Sequence, residues 1–156
     1  MNALRPISAD PTLDNKEKVL RLEQTMREMP QVELVTNHYF ADGMYARELI
    51  RAKGTLIVGK AHKREHLYIV TKGCVRVFTE DGVRTYEAPS VIVTTPGTKR
   101  AVLALEDSVC MTVHRTDKTD LDEIEKELIE EDVNALYDAR NNVKSLPGAK
   151  EQSCLG

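Results

Sequence analysis

The chain has 156 residues, which suits one domain with its own core, since domains commonly run to about 100–150 residues. Apolar residues make up 41% and the formal charge is -3, so the composition supports a globular protein and offers no basic stripe for a nucleic-acid backbone. No apolar run approaches the ~18 residues of a membrane span. The polar start from Met1 to Lys16 also lacks a signal peptide's hydrophobic segment, so the expected location is the cytoplasm.

In chain order, Val19, Leu20, Leu22, Met26 and Met29 predict a loose amphipathic helix from Asp14 to Met29, stopped by Pro30. Between Met44 and His114 the pattern is strand after strand: MYARELI, TLIVGK, HLYIVTK, CVRVFT, VRTYE, SVIVTT, KRAVLAL and VCMTVH. Turn signals separate them at Lys53-Gly54, Glu80-Asp81-Gly82, Pro96-Gly97 and Glu106-Asp107-Ser108. Short strands at this spacing predict a closed or double-sheet β architecture such as a jelly roll, which shields the sheet edges. Nothing alternates strand with helix, so a parallel α/β sheet is not expected.

Beyond the strands, Thr119 is read as an N-cap followed by Asp120, Leu121 and Asp122, acids that the helix dipole favours in a first turn. Leu121, Ile124, Leu128, Val133, Leu136 and Tyr137 then recur at helical intervals above an acidic face, and this apolar stripe must pack on the barrel or on a second subunit. The expected organisation is a helical extension over 1–34, a barrel over 35–117, and an acidic helical extension with a frayed tail over 118–156. Cys74, Cys110 and Cys154 show no metal-finger spacing and read as reduced thiols, with Cys74 and Cys110 behaving as small hydrophobes in strands. Cys154 lies too near the end for a prenylation box.

The segment Gly54-TLIVG-Lys60-Ala61-His62-KRE-His66-LYIVTK-Gly73 carries the chemistry. Its intervals are those of G-x(5)-H-x-H-x(3,4)-E-x(6)-G, with Lys60 at the first His position, His62 at the second and His66 at the Glu position. A second signature, G-x(5)-P-x-G-x(2)-H-x(3)-N, is met at Gly97, with Pro96 beside it and Arg100 at the His position. These motifs resemble the cupin superfamily, which implies a double-stranded β-helix barrel around one cavity, often in a dimer. It does not imply a single reaction, because the superfamily includes oxygenases, isomerases, decarboxylases and binding proteins. Gly43-MYAREL, Gly59-KAHKREHL, Glu87-AP, Gly97-TKR and Met111-TVH further resemble small cupin-like proteins of bacteriophages and prophages, over about residues 36–130.

Strand alternation puts Lys60, Val58 and Leu56 on one face with His62, and Tyr68 and Val70 on one face with His66, so the two histidines are expected as neighbours on adjoining strands. Folding a second hairpin about Asp107 pairs Ala104 with Cys110, Val102 with Thr112 and Arg100 with His114. Because Arg100 holds the inward position that the resemblance implies, His114 is expected inside beside it. For Tyr45, Arg47 and Glu48, alternation separates Arg47 from Glu48 without deciding which faces the cavity.

The expected site is therefore His62, His66 and His114 as ligands for a divalent metal (Zn, Fe, Mn or Ni), with Lys60, Lys99 and Arg100 gripping an anionic small molecule. His62, His66 and Tyr68 are the candidates for proton transfer. The leading reading is a small-molecule-binding cupin and candidate metal-assisted enzyme. Beside it stand a metal-free acid-base enzyme of the epimerase kind and a non-catalytic ligand sponge or structural phage protein. A homodimer with no nucleic-acid or membrane partner completes the expectation.

Overall fold

Alternation with a period of two fixes which residues turn inward, and the computed structural model, which describes residues 11–132 and 135–144, shows that alternation on nine strands. These are β1 (Val35–Ala41), β2 (Met44–Arg51), β3 (Leu56–Val58), β4 (His66–Lys72), β5 (Cys74–Thr79), β6 (Gly82–Glu87), β7 (Ser90–Thr94), β8 (Ala101–Ala104) and β9 (Ser108–Arg115). All pairs are antiparallel, forming a five-stranded sheet ordered β1-β2-β9-β4-β7 and a four-stranded sheet ordered β3-β8-β5-β6. The result is a mostly β jelly roll, as expected.

The core lies between the sheets. Tyr68, Val70 and Cys110 from the five-stranded sheet meet Val75, Val77 and Val102 from the four-stranded one, with Tyr86 and Ile92 packed at the margin. Period-two burial places Ala101, Val58 and Phe78 on the opposite, outer face of the four-stranded sheet. There they are covered by Val19, Leu22 and Met26 of helix α1 (Asn15–Arg27). Asp14 caps α1 by accepting from the Glu17 amide while Glu17 accepts from the Asp14 amide, a reciprocal capping box. The helix closes at Arg27, ahead of Pro30 and of the expected Met29, with Glu28 as its cap.

Helix α2 (Leu121–Leu128) differs more from expectation. Its N-cap is Asp120, not Thr119, because the Asp120 carboxylate accepts from the Asp122 and Glu123 amides. The helix also ends after eight residues rather than running on to Tyr137, since Ile129 turns extended and pairs with His62 as an isolated β-bridge. Leu121, Ile124 and Leu128 pack on Tyr45 of β2, so the apolar stripe of α2 is buried on the barrel itself. Strand β1 was not anticipated as a strand. The tail expected to fray from Asn141 is instead tied down as far as Lys144, through a Tyr137–Val143 bridge, Lys144 N–H donating to the Leu136 carbonyl and the Asn141 amide donating to the Thr36 hydroxyl; Val133, Cys154 and the rest of the tail from residue 145 lie outside the described residues.

Two register expectations are corrected. β8 and β9 do not form a hairpin; they belong to different sheets. The Glu106–Ser108 segment crosses between the sheets and is pinned there by Leu105 N–H donating to the Cys74 carbonyl, by the Ser108 hydroxyl donating to the Glu106 carbonyl, and by Lys53 N–H donating to the Asp107 carboxylate. Likewise β3 and β4 lie in opposite sheets, so His62 and His66 are not on adjoining strands.

Candidate functional site

Three neighbouring strands of the five-stranded sheet aim their inward positions at one cavity. β2 contributes Arg47, Leu49 and Arg51; β9 contributes Cys110 and Thr112; β4 contributes His66 and Tyr68, while His114 of β9 packs against the His66 ring outside the lining. Arg47 therefore faces inward and Glu48 does not. From the opposite wall come Ile57, Val102 and Arg100, and Ile129, Ala135 and Leu136 close one side. The cavity measures about 120 Å³.

His62 reaches this space from the loop after β3, which is held against the segment around α2. Lys63 N–H donates to the Leu128 carbonyl, Glu130 N–H donates to the Ala61 carbonyl, and Arg64 pairs with Glu127 at 3.0 Å. The imidazole centroids of His62, His66 and His114 stand 4.2, 4.7 and 4.9 Å apart. His114 enters by the alternation of β9 itself, through Cys110 and Thr112, and not through the expected pairing with Arg100. Tyr45 extends the ring cluster, stacking on His114 at 5.9 Å and on Phe40 at 5.3 Å, while its hydroxyl meets His38 Nδ1 at 2.7 Å.

Burial makes these histidines poor bases. It pushes His62 down to about 2 and His114 down to about 3, with neighbouring imidazoles and the Arg47 charge adding to the effect. His66 moves the same way, chiefly through burial. All three are neutral at pH 7. Burial conversely raises the Tyr68 phenol, which stays protonated.

Neutral imidazoles are donors of the right chemical kind for Zn, Fe, Mn or Ni. Their placement is not that of a coordination sphere. His62 and His114 are stacked with planes 14° apart, His114 Nε2 lies 2.9 Å from Thr112 Oγ1, and His66 Nδ1 lies 3.2 Å from the Arg64 carbonyl oxygen. Among the described residues no group of three or more His, Cys, Asp or Glu side chains is arranged to hold an ion.

The cations differ in how they are engaged. Lys60 is paired with Glu125, and Lys99 bridges Glu23 at 2.8 Å and Asp132 at 3.2 Å. Arg100 lays its guanidinium over the Tyr68 ring, 4.3 Å from the centroid, and donates to the Thr94 hydroxyl. Arg51, only 6% exposed, leaves Nε and Nη1 without a hydrogen-bond partner, and the buried Tyr68 hydroxyl also lacks one. No ion pair with a carboxylate forms at Arg51 or Arg100 among the described residues. Arg51 was not singled out from the sequence, although Tyr45, Arg47, Leu49 and Arg51 share one strand face by simple alternation.

No protein-family model and no curated protein matches the chain. Solved structures do. A cupin 2 conserved barrel domain protein from Salinispora arenicola aligns with TM-score 0.47 at 16% identity, over 54% of this chain and 76% of that one. A cupin superfamily protein from Desulfitobacterium hafniense aligns with TM-score 0.48 at 12% identity, over 58% and 84%. KdgF from Halomonas sp. aligns with TM-score 0.49 at 15% identity, over 56% and 84%. Two antiparallel sheets packed around the cavity make this chain a mostly β jelly roll.

Proposed function

We propose that the protein binds a small anionic molecule inside the barrel, with Arg100 as a cationic anchor and His62, His66 and Tyr68 facing the bound molecule. The observation that carries this reading is a half-buried guanidinium, stacked on Tyr68, that has no carboxylate partner while Lys60 and Lys99 both do. A charge-assisted contact contributes about 1.5–3 kcal/mol, so Arg100→Gln should weaken anion binding by about 10-fold or more in titration calorimetry. Unchanged affinity for every anion that the wild type binds would refute the reading.

Within this reading, a metal-free acid-base step would have a neutral imidazole accept a proton and Tyr68 return one, and the lowered basicity of His62 and the raised Tyr68 phenol both act against it. A cavity of about 120 Å³, below the ~300–1,000 Å³ of pockets for drug-sized ligands, favours a compact acid over a sugar nucleotide. Deuterium exchange from D₂O into bound acids by metal-stripped protein tests this step. Absence of exchange leaves the non-catalytic ligand sponge as the reading.

A divalent metal on His62, His66 and His114 is the second reading, favoured by three neutral rings within 5 Å of one another. It requires the stacked rings to reorient. Elemental analysis after reconstitution with Zn, Fe, Mn or Ni should then show about one metal per chain, lost in His62→Ala. Native mass spectrometry of the same sample reads out the proposed homodimer. Phage origin and a place in the host cytoplasm rest on the sequence resemblance alone.

A further inference from the structure

Half-buried Arg100 is not the only guanidinium of the cavity without an acid, and Arg51 is more deeply buried. Arg51 ends β2, where its Cα pairs with that of Ser108, and its side chain lines the same cavity from the five-stranded sheet. Arg100 enters from the other wall, just before β8 of the four-stranded sheet. A buried cation left without a counter-charge is destabilising, and each unmet N–H adds to that cost. Here two guanidiniums without a carboxylate share one cavity, one from each sheet: Arg51 with Nε and Nη1 unmet, and Arg100 with only the Thr94 hydroxyl and the Tyr68 ring. Burial, and to a lesser degree the Arg51 charge, lowers the proton affinity of Arg100. Around them lie apolar Leu49, Ile57, Val102 and Cys110 and the Tyr68 hydroxyl; the other charged groups of the lining are already engaged, Arg47 with the Tyr45 hydroxyl and the Ala139 carbonyl, Glu23 with Lys99, and Lys60 with Glu125.

Resting on the anion-binding reading above, we infer that the cavity is built for a compact dicarboxylate, one carboxylate meeting Arg51 and the other meeting Arg100 beside the Tyr68 hydroxyl. Two positive charges on facing walls are neutralised by two negative charges at the ends of one short molecule. A single oxyanion such as phosphate concentrates its charge at one point and leaves the second guanidinium unmet. The apolar lining suits a short methylene spacer. The cavity volume of about 120 Å³ limits the spacer to a few carbons.

The test uses the full chain, with malonate, inorganic phosphate and acetate as probes at constant ionic strength, read by calorimetry and by thermal shift. Malonate should bind at least 10-fold more tightly than acetate or phosphate. Arg51→Leu, which removes the charge and keeps an apolar side chain, should abolish that preference while changing acetate affinity by less than about 3-fold. The same variant, free of ligand, should melt no lower than the wild type, because an unpaired buried cation has been removed. Arg51→Lys, tested in parallel, should keep part of the malonate preference.

A preference for phosphate, or equal binding of malonate and acetate with no effect of either Arg51 variant, overturns the dicarboxylate assignment and leaves anion binding at Arg100 standing. If none of the three anions binds the wild type, the anion-binding reading itself falls. Should Arg51→Leu fail to fold, the Arg51→Lys arm decides: an unchanged malonate preference there, with identical affinity, removes Arg51 from the site.

Discussion

Acidification from pH 7 to pH 5 should destabilise this fold through its histidines. An ordinary histidine titrates near 6.5, whereas His62 is held at about 2 and His114 at about 3, mainly by burial. Between those values the unfolded chain binds protons that the native chain refuses, so stability is complete above pH 6.5 and falls as the pH drops towards the native values. At 1.36 kcal/mol per unit, each ring forfeits about 2 kcal/mol by pH 5, and the two together about 4 kcal/mol. That is a large share of the ~5–15 kcal/mol that holds a domain together. His38 and His66 are lowered as well and act in the same direction. Ordinary carboxylates titrate near 4, so they contribute little in this window. Urea unfolding followed by circular dichroism at pH 7, 6 and 5 should show the loss, and His62→Gln should reduce it by about half. A midpoint that stays constant from pH 7 to pH 5, or a His62→Gln variant with the wild-type pH dependence, would refute the reasoning.

Gly73→Ala should cost about 2–3 kcal/mol, measured as the shift in urea midpoint. Its φ of +79° disfavours a side chain, and a Cβ there would press on the Asp107 carbonyl and Ser108 hydroxyl. Lys99→Met should cost about 3 kcal/mol by the same assay, because Glu23, 4% exposed, would keep only the weaker Arg27 contact at 3.8 Å. Glu125→Gln releases Lys60 beside the cavity. It should reduce stability by no more than about 1 kcal/mol and tighten anion binding at low salt, an effect that calorimetry should find diminished at high salt.

Much of the barrel could be read from period-two patterning and from turn residues. The Glu80-Asp81-Gly82 turn does join β5 to β6 with Thr79 opposite Gly82. What patterning cannot supply is which strand lies beside which. The stretch about Asp107 looks like a hairpin locally, but long-range anchors at Lys53, Cys74 and Leu105 carry it between sheets. His114 was placed inward by a wrong pairing, yet parity along β9 alone leads to the same side, which is why the imidazole trio was foreseeable. Partners were not foreseeable: Lys60 meets Glu125 across 65 positions and Lys99 meets Glu23 across the fold, so both lysines look available in the sequence and are engaged in the structure. Arg51 was the reverse case. At a strand end before Lys53-Gly54 it looks like an exposed terminal charge, and only closure of the barrel buries it. The C-terminal helix misled through composition, since apolar spacing continues past Leu128 while the backbone leaves the helix to meet His62.

That last junction bears on how the chain can be cut. Ile129 and the residues after it form part of the chamber wall, so trimming the protein back to its nine strands would unroof the chamber and loosen the His62 loop in one stroke. A minimal version stopping after Arg115 would therefore be a different object from the parent. Its loss of affinity would report a missing panel rather than a missing partner-binding arm.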